Sequence, residues 1–232
     1  MDSKHPIKNI IFDFGGVIIN IDFMRSINAF IALGVKNFEA LYSKTKQSQV
    51  FDDLDTGDIN PKDFCEALIR LFPKQTTMQQ IVDAWNAIIL DIPERRIRLL
   101  EQIRPNYQTF LLSNTNSLHY DLYTAQLEYK YGYKSLNELF DNVYLSYKEH
   151  LRKPNPHFYQ MVLDENCLNP QETVFIDDSE QNLPIARQLG INTILLNQNK
   201  DVSELFCEGK LIPFAYQDGI IRDRDMANFN AN

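Results

Sequence analysis

Five short runs of apolar, mostly β-branched residues punctuate the chain: Lys8 to Asp13, Thr109 to Ser113, Asn142 to Ser146, Thr173 to Asp177 and Asn192 to Leu196. Each reads as a strand of a parallel sheet, buried on both faces. Helical patterns separate the last four. Strand alternating with helix implies parallel pairing through crossovers, so the expected fold class is α/β, a doubly wound parallel sheet of order 3-2-1-4-5. That order sets the first and fourth strands side by side at the topological switch point, where such sheets bind ligands.

Between the first and second runs the pattern changes. From Asp22 to Pro93 the signals are helical. Asp22 can cap a helix over Phe23 to Leu33 that stops at Gly34, and Asn60-Pro61 can open another that stops before Pro73. Thr77 and Gln80 stand at capping-box spacing for a third. This is too much chain for one crossover. The reading is therefore a discontinuous α/β core, residues 1–20 and 92–206, with an inserted helical cap at 21–91, hinged near Asn20 and Asp91. Glu94 to Arg104 returns as the core's own crossover helix, and residues 207–232 form a tail with no clear period. Trp85 with Ile81 and Ile88 or Ile89 reads as the cap's core, and His119, at helical spacing with Leu122 and Tyr123, as a helix-surface residue.

Composition narrows the choice of partners. With 232 residues, 44% of them hydrophobic, the chain can bury one large core plus a subdomain. A net charge of -8 gives no electrostatic support for nucleic acid or an acidic membrane, which leaves a small-molecule partner. Cys65, Cys167 and Cys207 are widely spaced and lack a histidine cluster, arguing against a disulfide framework or a zinc site. Lys8, Asn9, Asp13 and Asn20 interrupt the apolar stretch Ile7 to Ile21, so it reads as neither signal peptide nor membrane span. A cytoplasmic monomer or weak homodimer is expected.

The chemistry gathers at strand ends. Asp13 ends a buried run and begins the turn Phe14-Gly15-Gly16, which puts one carboxyl group where a ligand can meet it, as a nucleophile would need. Ser113 and Asn114 stand at the end of the second strand and offer a hydroxyl and backbone N–H groups to an anionic oxygen. Lys153 lies just outside a helix that Asn155 caps and Pro156 begins. From there a point cation could neutralise a nucleophilic carboxylate and a phosphate together. Asp177-Asp178 sets two acids side by side at the end of the fourth strand, and a hard divalent cation would relieve their repulsion. Asp52, Asp53, Asp55 and Asp58 lack the glutamate that closes a calcium loop and read as a solvated turn.

In this order the motifs Phe12-Asp13-Phe14-Gly15-Gly16-Val17-Ile18, Leu112-Ser113-Asn114-Thr115-Asn116, Arg152-Lys153-Pro154 and Val174-Phe175-Ile176-Asp177-Asp178 resemble those of the haloacid dehalogenase-like hydrolases. Within that superfamily they are most similar to the alpha-D-glucose-1-phosphate phosphatase-like subgroup, as are Thr56-Gly57-Asp58-Ile59 with Phe64 and the run Leu189-Gly190-Ile191. The resemblance implies a Mg²⁺-dependent phosphatase of small phosphorylated metabolites such as sugar phosphates. Asp13 would carry an aspartyl-phosphate, Ser113 and the amide of Asn114 would bind phosphate oxygens, and Lys153 would steady both charges. Asp13, Asp178 and the carbonyl of Gly15 would hold Mg²⁺, with Asp177 acting through water. Most phosphatases of the superfamily carry a second Asp, the general acid, two residues after the nucleophile. Here that residue is Gly15, which has no proton to give. Two other readings remain open: a metal-independent 2-haloacid dehalogenase, and a non-catalytic module that binds phosphometabolites.

Overall fold

The computed structural model describes residues 6–35, 42–43, 46–47, 49–197 and 199–212, so residues 213–232 of the expected tail lie outside it. The five apolar runs form strands β1 (Asn9–Phe12), β4 (Gln108–Ser113), β5 (Asn142–Leu145), β6 (Thr173–Asp177) and β7 (Asn192–Leu195). The remaining strands make two-residue hairpins: β2 (Tyr42–Ser43) with β3 (Lys46–Gln47), and β8 (Phe206–Cys207) with β9 (Lys210–Leu211). The main sheet runs β5-β4-β1-β6-β7, which is 3-2-1-4-5 when its strands are counted along the chain.

Alternation along the strands divides the core in two. Ile10, Phe12, Leu111, Val174 and Ile176 face one hydrophobic cluster, with the helices Glu94–Ile103 and Ser117–Tyr131 behind them. Their neighbours Ile11, Phe110, Leu112 and Phe175 face the other, against Pro156–Glu165 and Leu183–Gln188. A period of two with both faces covered is what a parallel sheet demands of its strands.

The chain between Asp22 and Asn86 builds a third cluster. Asp22 caps Phe23–Ala32, Asn60 caps Pro61–Ile69 and Thr77 forms a full capping box with Gln80 over Met78–Asn86. Helix Gln49–Asp55 packs among them. Phe51, Phe64 and Trp85 meet at ring-centroid distances of 4.9 to 5.9 Å, and such aromatic pairs add about 0.5–1.5 kcal/mol each beyond area burial. The two chain crossings between this cluster and the sheet are tied together, because Asn20 donates to the Asp91 carbonyl and Leu90 to the Asn20 carbonyl. The Asn20 side chain also donates to Asp91 Oδ1 at 3.0 Å.

Past the sheet, Asp201 caps the turn Val202–Leu205 and pairs with Arg95 and the buried Arg96. Burial alone would raise the Asp201 carboxyl, but hydrogen bonds from Arg95, Ser203 and Arg96 outweigh it and hold the group well below the ordinary carboxylate range. Phe206 and Leu211 then pack on the main core cluster.

The helical segment meets the sheet domain a second time at Gly57. Its φ is +72°, and a Cβ there would stand 2.2 Å from the carbonyl oxygen of Tyr147. Both the left-handed backbone and the close approach require glycine. We expect Gly57→Ala to lower unfolding free energy by about 1–3 kcal/mol. A urea midpoint equal to wild type would show that this contact yields without cost.

Candidate active site

The register of the sheet brings the acids together. Phe12 pairs with Ile176, and the Asp13 N–H donates to the Ile176 carbonyl at 2.9 Å, so Asp13 and Asp177 leave adjacent strands at the same level. Lys153 comes up from the loop before Pro154 and is only 2% exposed. Its Nζ lies 2.7 Å from Asp13 Oδ1 and 2.8 Å from Asp177 Oδ2. The backbone of Lys153 is fixed by the side chain of Asn114, whose Oδ1 accepts from the Lys153 N–H and whose Nδ2 donates to its carbonyl. Thus the side chain of Asn114 positions the lysine, and only its backbone N–H remains for an anion. Ser113, Asn114 and Asp178 line the same pocket as Asp13, Gly15 and Lys153.

Each acid has a different setting. Asp177 is fully buried; one oxygen accepts from Lys153 and Asn182, the other from the Ser179 N–H. Asp178 is partly exposed and faces the pocket. Asp13 is pushed up to about 7 by burial first, and further by Asp177 and Asp178, with Lys153 pulling the other way. Ligand oxygens of all three acids fall within 4.8 Å of one another. Gly16 lets the loop close on them, since at φ +76° a Cβ there would sit 2.6 Å from Asp178 Oδ2. One lysine does not offset three carboxyl groups, and an all-oxygen cluster of this kind fits a hard divalent cation such as Mg²⁺.

A model of the haloacid dehalogenase-like hydrolase family matches residues 7–190. The chain belongs to that family. A D-ribitol-5-phosphate phosphatase of Bacteroides thetaiotaomicron is 33% identical over 187 residues, covering 81% of this chain and 90% of that protein. The crystal structure of a haloacid dehalogenase-family enzyme from the same organism, in complex with magnesium and inorganic phosphate, superposes with a TM-score of 0.79 at 35% identity. It covers 87% of this chain and 100% of the other. A family hydrolase of Porphyromonas gingivalis gives 0.76 at 33% identity, over 84% and 94% of the two chains. The L-2-haloacid dehalogenase of Xanthobacter autotrophicus, at 19% identity and TM-score 0.52, shares the fold alone.

The rest of the pocket departs from the sequence reading at two residues of this family member. His119 is not on the helix surface but buried, stacked on Trp85 with ring centroids 4.8 Å apart. It lies on one stripe with Tyr123 and Leu127, four and eight residues on, both buried. Asn116 caps the helix through Oδ1, which accepts from the His119 N–H, leaving Nδ2 to donate to His119 Nδ1 at 3.2 Å and to Asp55 Oδ1 at 3.0 Å. Since Nδ1 accepts, the imidazole proton is on Nε2, facing the Trp85 carbonyl. Burial lowers His119 to about 4 despite that bond, so the ring is neutral.

Asp55 is the second correction. It does not belong to a solvated turn with Asp52, Asp53 and Asp58, because it is 6% exposed and lines the pocket. It completes the buried face of helix Gln49–Asp55 with Leu54 and with Phe51, one helical turn before it, a spacing visible in the sequence. Burial pushes its carboxyl up to about 7, with the Asn116 bond as a smaller opposing influence.

A raised carboxyl stabilises the fold fully below the unfolded value of 3.8, and that contribution is lost as pH rises to about 7. At about 1.4 kcal/mol per unit, Asp55 should cost the wild type on the order of 4 kcal/mol across that window. Asp55→Asn keeps an oxygen for Asn116 and removes the ionisation, so its unfolding free energy should decline less from pH 4 to pH 7. Parallel pH profiles for the two proteins in denaturant titrations would exclude this buried titration.

Proposed function

We propose that this protein hydrolyses small phosphate monoesters, sugar and polyol phosphates in particular, by attack of Asp13 on phosphorus. The observation that carries the reading is the Lys153 bridge between Asp13 and Asp177, beside Asp178, in a pocket that also holds Ser113 and Asn114. The cavity is about 130 Å³. That is below the usual range for drug-sized ligands and favours a compact metabolite. The phosphatase related to this chain acts on such a compound.

In the proposed reaction Asp13 displaces the alcohol and carries the phosphoryl group as an aspartyl-phosphate. Ser113 Oγ and the Asn114 N–H bind phosphate oxygens. Lys153 holds Asp13 in line and balances charge as the phosphoryl group arrives. Asp13, Asp178 and the Gly15 carbonyl would hold Mg²⁺, with Asp177 acting through water while it anchors Lys153. The ion supplies positive charge against the acids and the phosphate. The helical segment at 21–91 acts as a cap over the pocket, through the crossing at Asn20 and Asp91.

A metal-independent dehalogenase would leave three clustered acids to share the Lys153 ammonium, which disfavours that alternative. The test is phosphate release from a panel of sugar and polyol phosphates, with Mg²⁺ or with chelator. Wild type should release phosphate only with the metal, Asp13→Asn should be inert, and Asp178→Ala should lose the Mg²⁺ response while keeping its circular dichroism. Turnover by Asp13→Asn, or an undiminished metal response in Asp178→Ala, would remove the corresponding role.

A further inference from the structure

The pocket lacks a proton donor where the superfamily usually has one. Position 15 is glycine, and nothing in the backbone forces this: its φ lies outside the left-handed region, and a Cβ would meet only Ile21 side-chain carbons, the nearer at 3.2 Å. A side chain could stand there after a small shift of a flexible neighbour.

Other proton-bearing groups around the pocket are committed. Lys153 holds the acids, the neutral His119 turns its N–H to the Trp85 carbonyl, and Arg152 pairs with Asp52. Burial raises the Tyr123 phenol far from neutrality, so it holds its proton too tightly to release it in turnover. Asp55 is different. Only Oδ1 is engaged, by Asn116, and its second oxygen meets no hydrogen-bonding partner among the described residues although the side chain lines the cavity. A buried carboxyl with one bond is a poor structural choice, because asparagine would serve Asn116 without the cost of a buried acid. Its position beside Asn116, three residues after Ser113, sets it next to the proposed phosphate-binding turn.

Building on the phosphatase reading, we propose that Asp55 is the catalytic acid that protonates the leaving oxygen. As Asp13 attacks phosphorus, the bond from phosphorus to the ester oxygen breaks, its electron pair stays on that oxygen, and the Asp55 proton passes to it to give the free alcohol. Asp55, now a carboxylate, takes a proton from the water that attacks the aspartyl-phosphate. Inorganic phosphate leaves, the Asp13 carboxylate is regenerated, and Asp55 is again protonated.

The test compares glycerol phosphate, whose alkoxide leaves poorly, with para-nitrophenyl phosphate, whose phenolate leaves well, using the full chain with Mg²⁺. A lost general acid costs about 10²- to 10⁴-fold, and the cost falls on poor leaving groups. Asp55→Asn should therefore lose at least about tenfold more kcat/KM on glycerol phosphate than on the aryl ester, with kcat carrying the difference. Losses that agree within about tenfold on both esters, whether large or small, overturn the assignment and leave Asp55 a structural residue. Should Asp55→Asn not fold by circular dichroism, Asp55→Ser, which also removes the acid, is judged by the same criterion. A wild type inert on both esters would instead remove the phosphatase reading, and this assignment with it.

Discussion

The ammonium of Lys153, sealed between Asp13 and Asp177, is the constraint on which the site depends. Removing a charged lysine from water costs several kcal/mol, and only close, well-oriented acids return it. Those acids cannot be assembled locally, since the pair is separated by 164 residues along the chain and is joined only because β1 and β6 are adjacent. Their parallel register then decides which residues emerge together. A slip of one residue would turn Asp13 into the sheet and present Phe12 at its edge. The apolar packing on both faces thus does more than stabilise the sheet. It sets the level of the Asp13 carboxyl.

The same constraint explains the second rank of contacts. Lysine is long and rotamer-rich, so a cation meant to bridge two acids needs its backbone fixed as well as its tip. Asn114 grips the Lys153 main chain from both sides, and Asn182 shares Asp177 Oδ2 with the ammonium. These partners arise from β4 and from the turn after β6, so three of the strand ends meeting at the switch point act on one side chain. What remains exposed to a ligand is Asp178 and the open face of Asp13.

Much of this was legible in the sequence, for reasons tied to particular residues. The strands showed because a two-faced parallel strand must be apolar without interruption, and the helices at Asp22, Asn60 and Thr77 showed because capping residues announce themselves locally. Asp13, Asp177 and Asp178 stood out because charge at a buried strand end needs a partner, and Lys153 because Asn155 and Pro156 fix it just outside a helix. His119 and Asp55 did not, since spacing with Leu122 and Tyr123 does not show that the helix buries the stripe His119 shares with Tyr123 and Leu127, and the acids Asp52, Asp53 and Asp58 mask the one Asp55 shares with Phe51 and Leu54. The two-residue hairpins escaped because two pairs of residues carry no periodicity.

Placing an acid on Asp55 in place of residue 15 changes what the enclosing segment does. A carboxyl on the strand-end turn stays with the nucleophile whether the site is open or shut. One at the end of helix Gln49–Asp55 belongs to the helical segment, which meets the core through Asp55 with Asn116 and Trp85 with His119. In the proposed reaction, the burial that raises the Asp55 carboxyl is also what keeps its proton available for the leaving oxygen. The neutral His119 matters here, because a protonated imidazole beside Asn116 would favour the ionised form of Asp55 and spoil the donor. Its burial against Trp85 keeps the ring beside Asn116 and Asp55 uncharged.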